Sequence, residues 1–408
     1  MNTATAQDSG RQRRVNLALA TWVSVINFWA WNMIGPLSPT YAAELSLSSK
    51  EASMLVATPI LVGAIGRIVV GPLTDRYGGR TMFIAVSVAP ILPVLAVGAA
   101  GAAGSYPLLL VSGFFLGIAG TVFAVGIPFA NNWYPPARRG FATGVFGMGM
   151  VGTALSALLT PRFVEWFGLF PTHGIIAAAL AVSALLCVLL MHNAPFFTPN
   201  HDSVLPKLKA AAKLAVTWEM SLLYAVVFGG FVAFSNYLPT YIRTIYGFSV
   251  VDAGARTAAF ALAAVLARPI GGALADRIAP KYVVLASFAG TAAMAFIAVF
   301  QPPPDLWSAV TFTMLAVFLG IGTGGVFAWV ARRAPHNSVG SVTGIVSAAG
   351  GLGGYFPPLV MGATYSVTGN HYTTGLLLLV ATAVLAFGYT ALRLHAQEPA
   401  ATTEEPRT

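Results

Sequence analysis

GRIVVGPLTDRYGGR (66–80) closes one apolar segment of the chain, and ARPIGGALADRIAPK (267–281) closes another. The two align with a shift of 201 residues, which lays Arg67 on Arg268 and Asp75 on Asp276. A second pair, GFATGVFGMGMVG (140–152) and GSVTGIVSAAGGL (340–352), aligns with a shift of 200. Two blocks at nearly one shift mark a chain built from two similar halves. Each half carries one arginine inside an apolar run and one aspartate at its end.

Around these blocks the chain stays apolar. Charged residues make up 9% of its 408, against roughly 25% in an average soluble protein, and the mean hydropathy is +0.75. Such a chain cannot cover a water-facing surface, which excludes a soluble enzyme, a coiled coil and a disordered regulator. The single cysteine, Cys187, supports neither a disulfide framework nor a thiolate metal cluster. A bilayer core needs about 20 apolar residues per helix. Twelve stretches qualify, near 15–41, 51–73, 81–100, 107–133, 140–163, 171–191, 218–243, 252–274, 282–300, 307–330, 338–363 and 372–393. The expected fold is an all-α membrane protein of twelve transmembrane helices in two pseudo-symmetric six-helix bundles, 15–191 and 218–393. A polar N-terminal tail (1–14), a linker (192–217) with Lys207, Lys209 and Lys213, and a C-terminal tail (394–408) complete the expected organisation. The first span is too long for a signal-peptide core and has no A-x-A-like site after it, so it is read as retained.

Basic residues concentrate in loops on the cytoplasmic side of membrane proteins. With these spans, 16 of the 22 lysines and arginines fall on one side, including Arg76, Arg80, Arg138, Arg139, Arg277 and Arg332, and 4 on the other. Both termini and the linker are therefore expected in the cytoplasm, in a multi-pass protein of the cell membrane. The net charge of +9 expresses this topology, and no nucleic-acid partner is expected.

The last two basic residues, Arg67 and Arg268, lie within the spans. Each precedes its aspartate by eight residues, about 12 Å of helix against a half-thickness of about 15 Å, which places both near the midplane. All 13 acidic residues fall in loops, tails or helix ends. The arginines thus lack a fixed counter-ion, and a mobile anion is the economical partner. Two similar halves, each giving one arginine, place such a site on a pseudo-two-fold axis, open alternately to either side. No carboxylate pair or mid-depth histidine is offered for an enzyme, and the histidines show no paired metal spacing, so neither enzymatic activity nor a cofactor is expected. An anion channel or sensor could use the same arginines, but glycine-rich hinge helices fit alternating access better.

GPLTDRYGGR (71–80) resembles the major facilitator signature G-x-L-x-D-R-x-G-x-R at every fixed position. The stretches 117–152 (GIAGTVFAVGIPFANNWYPPARRGFATGVFGMGMVG) and 340–358 (GSVTGIVSAAGGLGGYFPP) resemble the two glycine-rich signatures of the nitrate/nitrite porter family. The similarity spans essentially all twelve helices. It implies a planar anion held by Arg67 on helix two and Arg268 on helix eight, between aromatic rings at Phe123 (helix four), Tyr224 and Phe228 (helix seven), with Ser347 from helix eleven. It further implies a gating role for Asp75, Arg76 and Arg80, and for Asp276 in the second half, and hinge or sliding roles for Gly144, Gly147, Gly350 and Gly351. Met150 and Ala264 stand where the family's best-known members carry asparagines. The chemistry agrees, because a guanidinium presents parallel N–H donors to an oxyanion and flat rings exclude water above and below a flat anion. The expected function is nitrate import coupled to nitrite export in nitrate assimilation or respiration, by a monomer of the inner (plasma) membrane beside a cytoplasmic-side nitrate reductase. Proton symport, or carriage of another small organic anion, is the alternative.

Overall fold

The computed structural model describes residues 3–135, 138–195, 197–199, 204–304, 306–335, 339–365 and 372–394. Its membrane-length helices are α1 (Gly10–Glu44), α2 (Ser49–Tyr77), α3 (Gly79–Ala102), α4 (Tyr106–Trp133), α5 (Ala142–Phe167) and α6 (Leu169–Leu190) in the first half. In the second half they are α7 (Ala215–Tyr246), α8 (Val250–Arg277), α9 (Pro280–Val299), α10 (Leu306–Arg333), α11 (Val339–Thr364) and α12 (Thr373–Leu392). Among the described residues, eleven are both long and apolar enough to cross a bilayer. The remaining one, α11, is 26 residues long, but its SAAGGLGG core substitutes small residues for apolar bulk, which suits close helix packing.

Two helices start upstream of their expected spans, and the expected linker holds a helix of its own. Helix extends upstream of the membrane-length part of α1 to Thr3, because TATAQDSGRQRR contains no proline to stop it. The linker holds a short helix, Val204–Ala212, and α7 begins at Ala215, a turn before its expected start. Residues 395–408 of the expected tail lie outside the described residues.

The internal repeat extends further than the sequence blocks. Ser48 caps α2, its Oγ accepting from the Glu51 N–H while the Glu51 carboxylate accepts from the Ser48 N–H at 2.8 Å. Ser249 caps α8, accepting from the Asp252 N–H at 3.0 Å. Both caps satisfy otherwise orphan amides, and they lie 201 residues apart, as do Ser46 (φ 52°) and Gly247 (φ 69°) just before them. The same left-handed turn therefore launches each arginine-bearing helix. α4 tightens into a 3-10 turn at mid-length, Gly117–Thr121, and α5 does so in its first third, Met148–Met150, a deviation that often marks a functional segment.

The halves meet closely at one end. A Cβ on Gly35 would stand 2.7 Å from the Asn236 carbonyl oxygen, and one on Gly362 2.6 Å from that of Ser49. Gly254 abuts the Ala157 carbonyl, and Ser53 and Tyr237 join hydroxyls across the seam at 3.4 Å. At the opposite end, which carries Arg76, Arg80, Arg277 and Arg332, Gly71, Gly144, Gly272 and Gly344 have no neighbour within 4 Å of where a side chain would begin. Gly71 and Gly272 each lie one turn beyond an arginine, and Gly344 three residues before Ser347, so all three share the site's helix face. The halves are closely packed at the first end, while these glycines near the basic end have open space before them.

Candidate anion site

Arg67 comes from mid-α2 and is only 4% exposed. Its Nε donates to the Gly120 carbonyl at 3.3 Å, an acceptor in the 3-10 turn of α4. Its Nη1 reaches across the seam to the Ser347 carbonyl (3.3 Å) and hydroxyl (3.4 Å) on α11. The Nη2 group is buried and has no partner among the described residues. Arg268, from mid-α8, crosses in the opposite direction, and its Nη1 lies against the Met150 sulfur of α5. Its Nε and Nη2 are buried without a partner. Each half thus extends its arginine into the other.

Aromatic faces surround the pair. The Phe228 centroid is 5.5 Å from the Arg67 Cζ and 5.1 Å from that of Arg268, so one ring serves both cations. Phe123 and Trp31 add faces at 5.6 Å and 6.0 Å from Arg67, and Phe231 lies 4.9 Å from Arg268. Such contacts contribute about 0.5–2 kcal/mol each, more when desolvated. Tyr224 stacks on Phe228 with centroids 4.9 Å apart and planes at 8°, and its buried hydroxyl has no partner. A methyl group at Gly350 would run into the Tyr224 ring, and one at Gly351 would stand 2.7 Å from the Ala64 Cβ on α2.

Four buried donors without acceptors, at Arg67 Nη2, Arg268 Nε and Nη2 and Tyr224 Oη, therefore converge where no acidic side chain pairs with either arginine among the described residues. An orphaned buried donor costs about 1–3 kcal/mol, more if charged. An oxyanion is the ligand that removes this cost. The free Nε–Nη2 edge of Arg268 is a fork able to take two oxygens in plane, and Arg67 Nη2 offers a further donor.

All six expected site residues, Arg67, Arg268, Phe123, Tyr224, Phe228 and Ser347, gather here. Of the expected gating glycines, Gly350 and Gly351 pack tightly, whereas Gly144 and Gly147 face open space. The charged motif lies apart at the basic end. Asp75 is exposed, and Lys207 of the linker helix acts on it electrostatically. Arg76 lies over the Tyr77 ring at 5.5 Å. Arg80 donates to the Val188 carbonyl at 2.6 Å, and its backbone N–H donates to the Asn193 side-chain oxygen, tying the α2–α3 turn to the end of α6. Asp276 meets Arg332 at 3.8 Å across two well-exposed side chains. Ala264 is fully buried beside Gly320, where α8 and α10 pack backbone to backbone.

Trp31, Phe231, the Gly120 carbonyl and the Met150 sulfur also build the site. Nothing in the sequence singles out the first three. Trp31 and Phe231 are two aromatics among many, and a carbonyl acceptor carries no side-chain signature.

The chain matches the family described as Major Facilitator Superfamily over residues 20–257 and 220–408. It is 74% identical to the "Probable nitrate/nitrite transporter NarK2" of Mycobacterium tuberculosis, across 95% of this chain and 98% of that protein. It is 35% identical to the "Nitrite extrusion protein" of Bacillus subtilis, across 92% and 93%. The "Probable nitrate/nitrite antiporter NarK1" of Thermus thermophilus is 32% identical, across 94% and 92%. Among solved structures, a D-xylose-proton symporter superposes with a TM-score of 0.72 at 15% identity, across 92% of this chain and 96% of that one, a likeness of fold alone.

Proposed function

This chain belongs to the nitrate/nitrite porter family of the major facilitator superfamily, and from that membership we propose that it carries nitrate and nitrite through one site between Arg67 and Arg268, opened in turn to each side of the membrane. The observation that carries the proposal is the set of orphaned donors on both guanidiniums and Tyr224. A flat anion lies in the plane of the Arg268 fork, with Arg67 Nη2 as a further donor, while Phe123 and the Tyr224–Phe228 stack keep water out. The basic end faces the cytoplasm by the charge rule, as do both termini. The protein works as a monomer in the plasma membrane and supplies a cytoplasmic-side nitrate reductase.

Coupling follows from charge. The empty site holds two cations without a counter-ion, which is costly inside a membrane. An anion on board lowers that cost, so the loaded carrier reorients faster than the empty one. This is the behaviour of an exchanger, and nitrate enters as nitrite leaves. Counterflow in proteoliposomes tests it: nitrate uptake is expected to rise severalfold when vesicles are preloaded with nitrite. Uptake into nitrite-free vesicles that a proton gradient makes as fast as counterflow would establish symport instead.

Asp75 belongs to the gate in this scheme. It lies about 12 Å of helix from Arg67, so Asp75→Asn is expected to slow exchange while nitrate affinity stays within a few-fold of wild type. Loss of binding with unchanged exchange kinetics would move Asp75 into the site.

A further inference from the structure

Met150 enters the site unlike any other residue. It is fully buried, and it sits in the 3-10 turn Met148–Met150 of α5, which breaks the regular helix at that level. Its sulfur touches Arg268 Nη1 from the other half of the molecule. The remaining Arg268 nitrogens, Nε and Nη2, have no protein acceptor, and the aromatic faces of Phe228 and Phe231 are non-directional contacts. Among the described residues, the Met150 sulfur is the one acceptor atom that lies against this guanidinium.

We propose that Met150 is a positioning residue for the anion. By occupying Nη1 it turns the Nε–Nη2 edge of Arg268 towards the substrate and withholds the alternative Nη1–Nη2 edge. A thioether suits this task because it accepts only weakly. It orients the cation without competing for it, whereas a carboxylate at position 150 would neutralise Arg268 and displace the substrate. The arrangement mirrors the other half, where Ser347 occupies Arg67 Nη1 across the seam. This role rests on the proposed anion site.

Two substitutions separate an acceptor from mere packing. Leucine conserves the volume of methionine and removes the sulfur, a swap that well-packed interiors tolerate. Glutamine keeps the reach and restores an acceptor as a carbonyl oxygen. In nitrate–nitrite counterflow, Met150→Leu is expected to raise the nitrate KM about tenfold with the maximal rate within twofold, and Met150→Gln to bring KM back towards wild type. A packing role gives the reverse order, with leucine near wild type and glutamine impaired. Nitrate binding to the purified proteins, with elution as a single monodisperse species as the folding control, replaces the transport assay for any variant that inserts poorly. Wild-type KM in Met150→Leu, or equal impairment of both variants, would overturn the role. Arg268→Lys in the same series keeps the premises distinct. If that variant also behaves as wild type, the anion site itself is wrong, whereas its loss beside an unaltered leucine variant rejects Met150 alone.

Discussion

Lysine in place of either Arg67 or Arg268 is expected to reduce nitrate transport at least tenfold while the protein still inserts and purifies. The substitution preserves charge and removes geometry. At position 67, one ammonium cannot reach Gly120 and Ser347 together and still offer a free donor, as the guanidinium does with Nε, Nη1 and the unpartnered Nη2. At position 268 the fork is lost outright. A hydrogen bond to a charged group contributes about 1.5–3 kcal/mol, and each 1.4 kcal/mol is about tenfold, so even one lost bond brings the effect into range. Uptake of nitrate into proteoliposomes of matched protein content measures it. Two lysine variants with wild-type uptake would remove the arginines from the binding role and leave the orphaned donors unexplained.

A single methyl group at Gly350 is expected to have a comparable effect. Its Cβ would overlap the Tyr224 ring and stand 3.0 Å from Phe228 Cδ1. Those rings form one stack, and Phe228 is the face shared by both cations. Neither ring can yield without moving the floor of the site, because Tyr224 is also wedged against Phe327 at 4.5 Å. Overpacking of a tight interior costs about 1–3 kcal/mol, which a twelve-helix protein can survive as a fold. Gly350→Ala should therefore express and remain monodisperse, with nitrate binding weakened about tenfold or more. The comparison is Gly344→Ala, where the space is open in this state and binding should stay near wild type. Equal affinity in the two variants would show that the stack adapts.

The fold was legible because membrane helices announce themselves by length and apolarity, and the halves by a repeat that retained its arginine and aspartate. α11 is the instructive helix, since its small residues lower its hydropathy yet its signature identifies it. The arginine pair stood out on energetic grounds, as cations at mid-depth with no acid to meet them. Crossing was not legible: that Arg67 bonds to α11 and Arg268 touches α5 depends on how the bundles face each other, which no local pattern encodes. Phe231 and Trp31 stayed hidden because aromatics are common in every span. The caps at Ser48 and Ser249 could have been read, since serine followed three residues later by an acid is a known helix start. Their shared offset would have lengthened the repeat.

The closely packed end of the seam is held largely by main chain and short side chains: Gly35 on the Asn236 backbone, Gly254 on the Ala157 carbonyl, Gly362 on Ser49. Apart from the Tyr237 hydroxyl on Ser53, contacts of this kind offer no long side chain that could swing aside to admit one ion. They part only when whole helices separate, and a gap wide enough for nitrate breaks several of them together. Leakage through that end is therefore expected to be quantised, so that background anion flux measured in proteoliposomes scales with the frequency of full turnover; a leak that persists when turnover is blocked would contradict this.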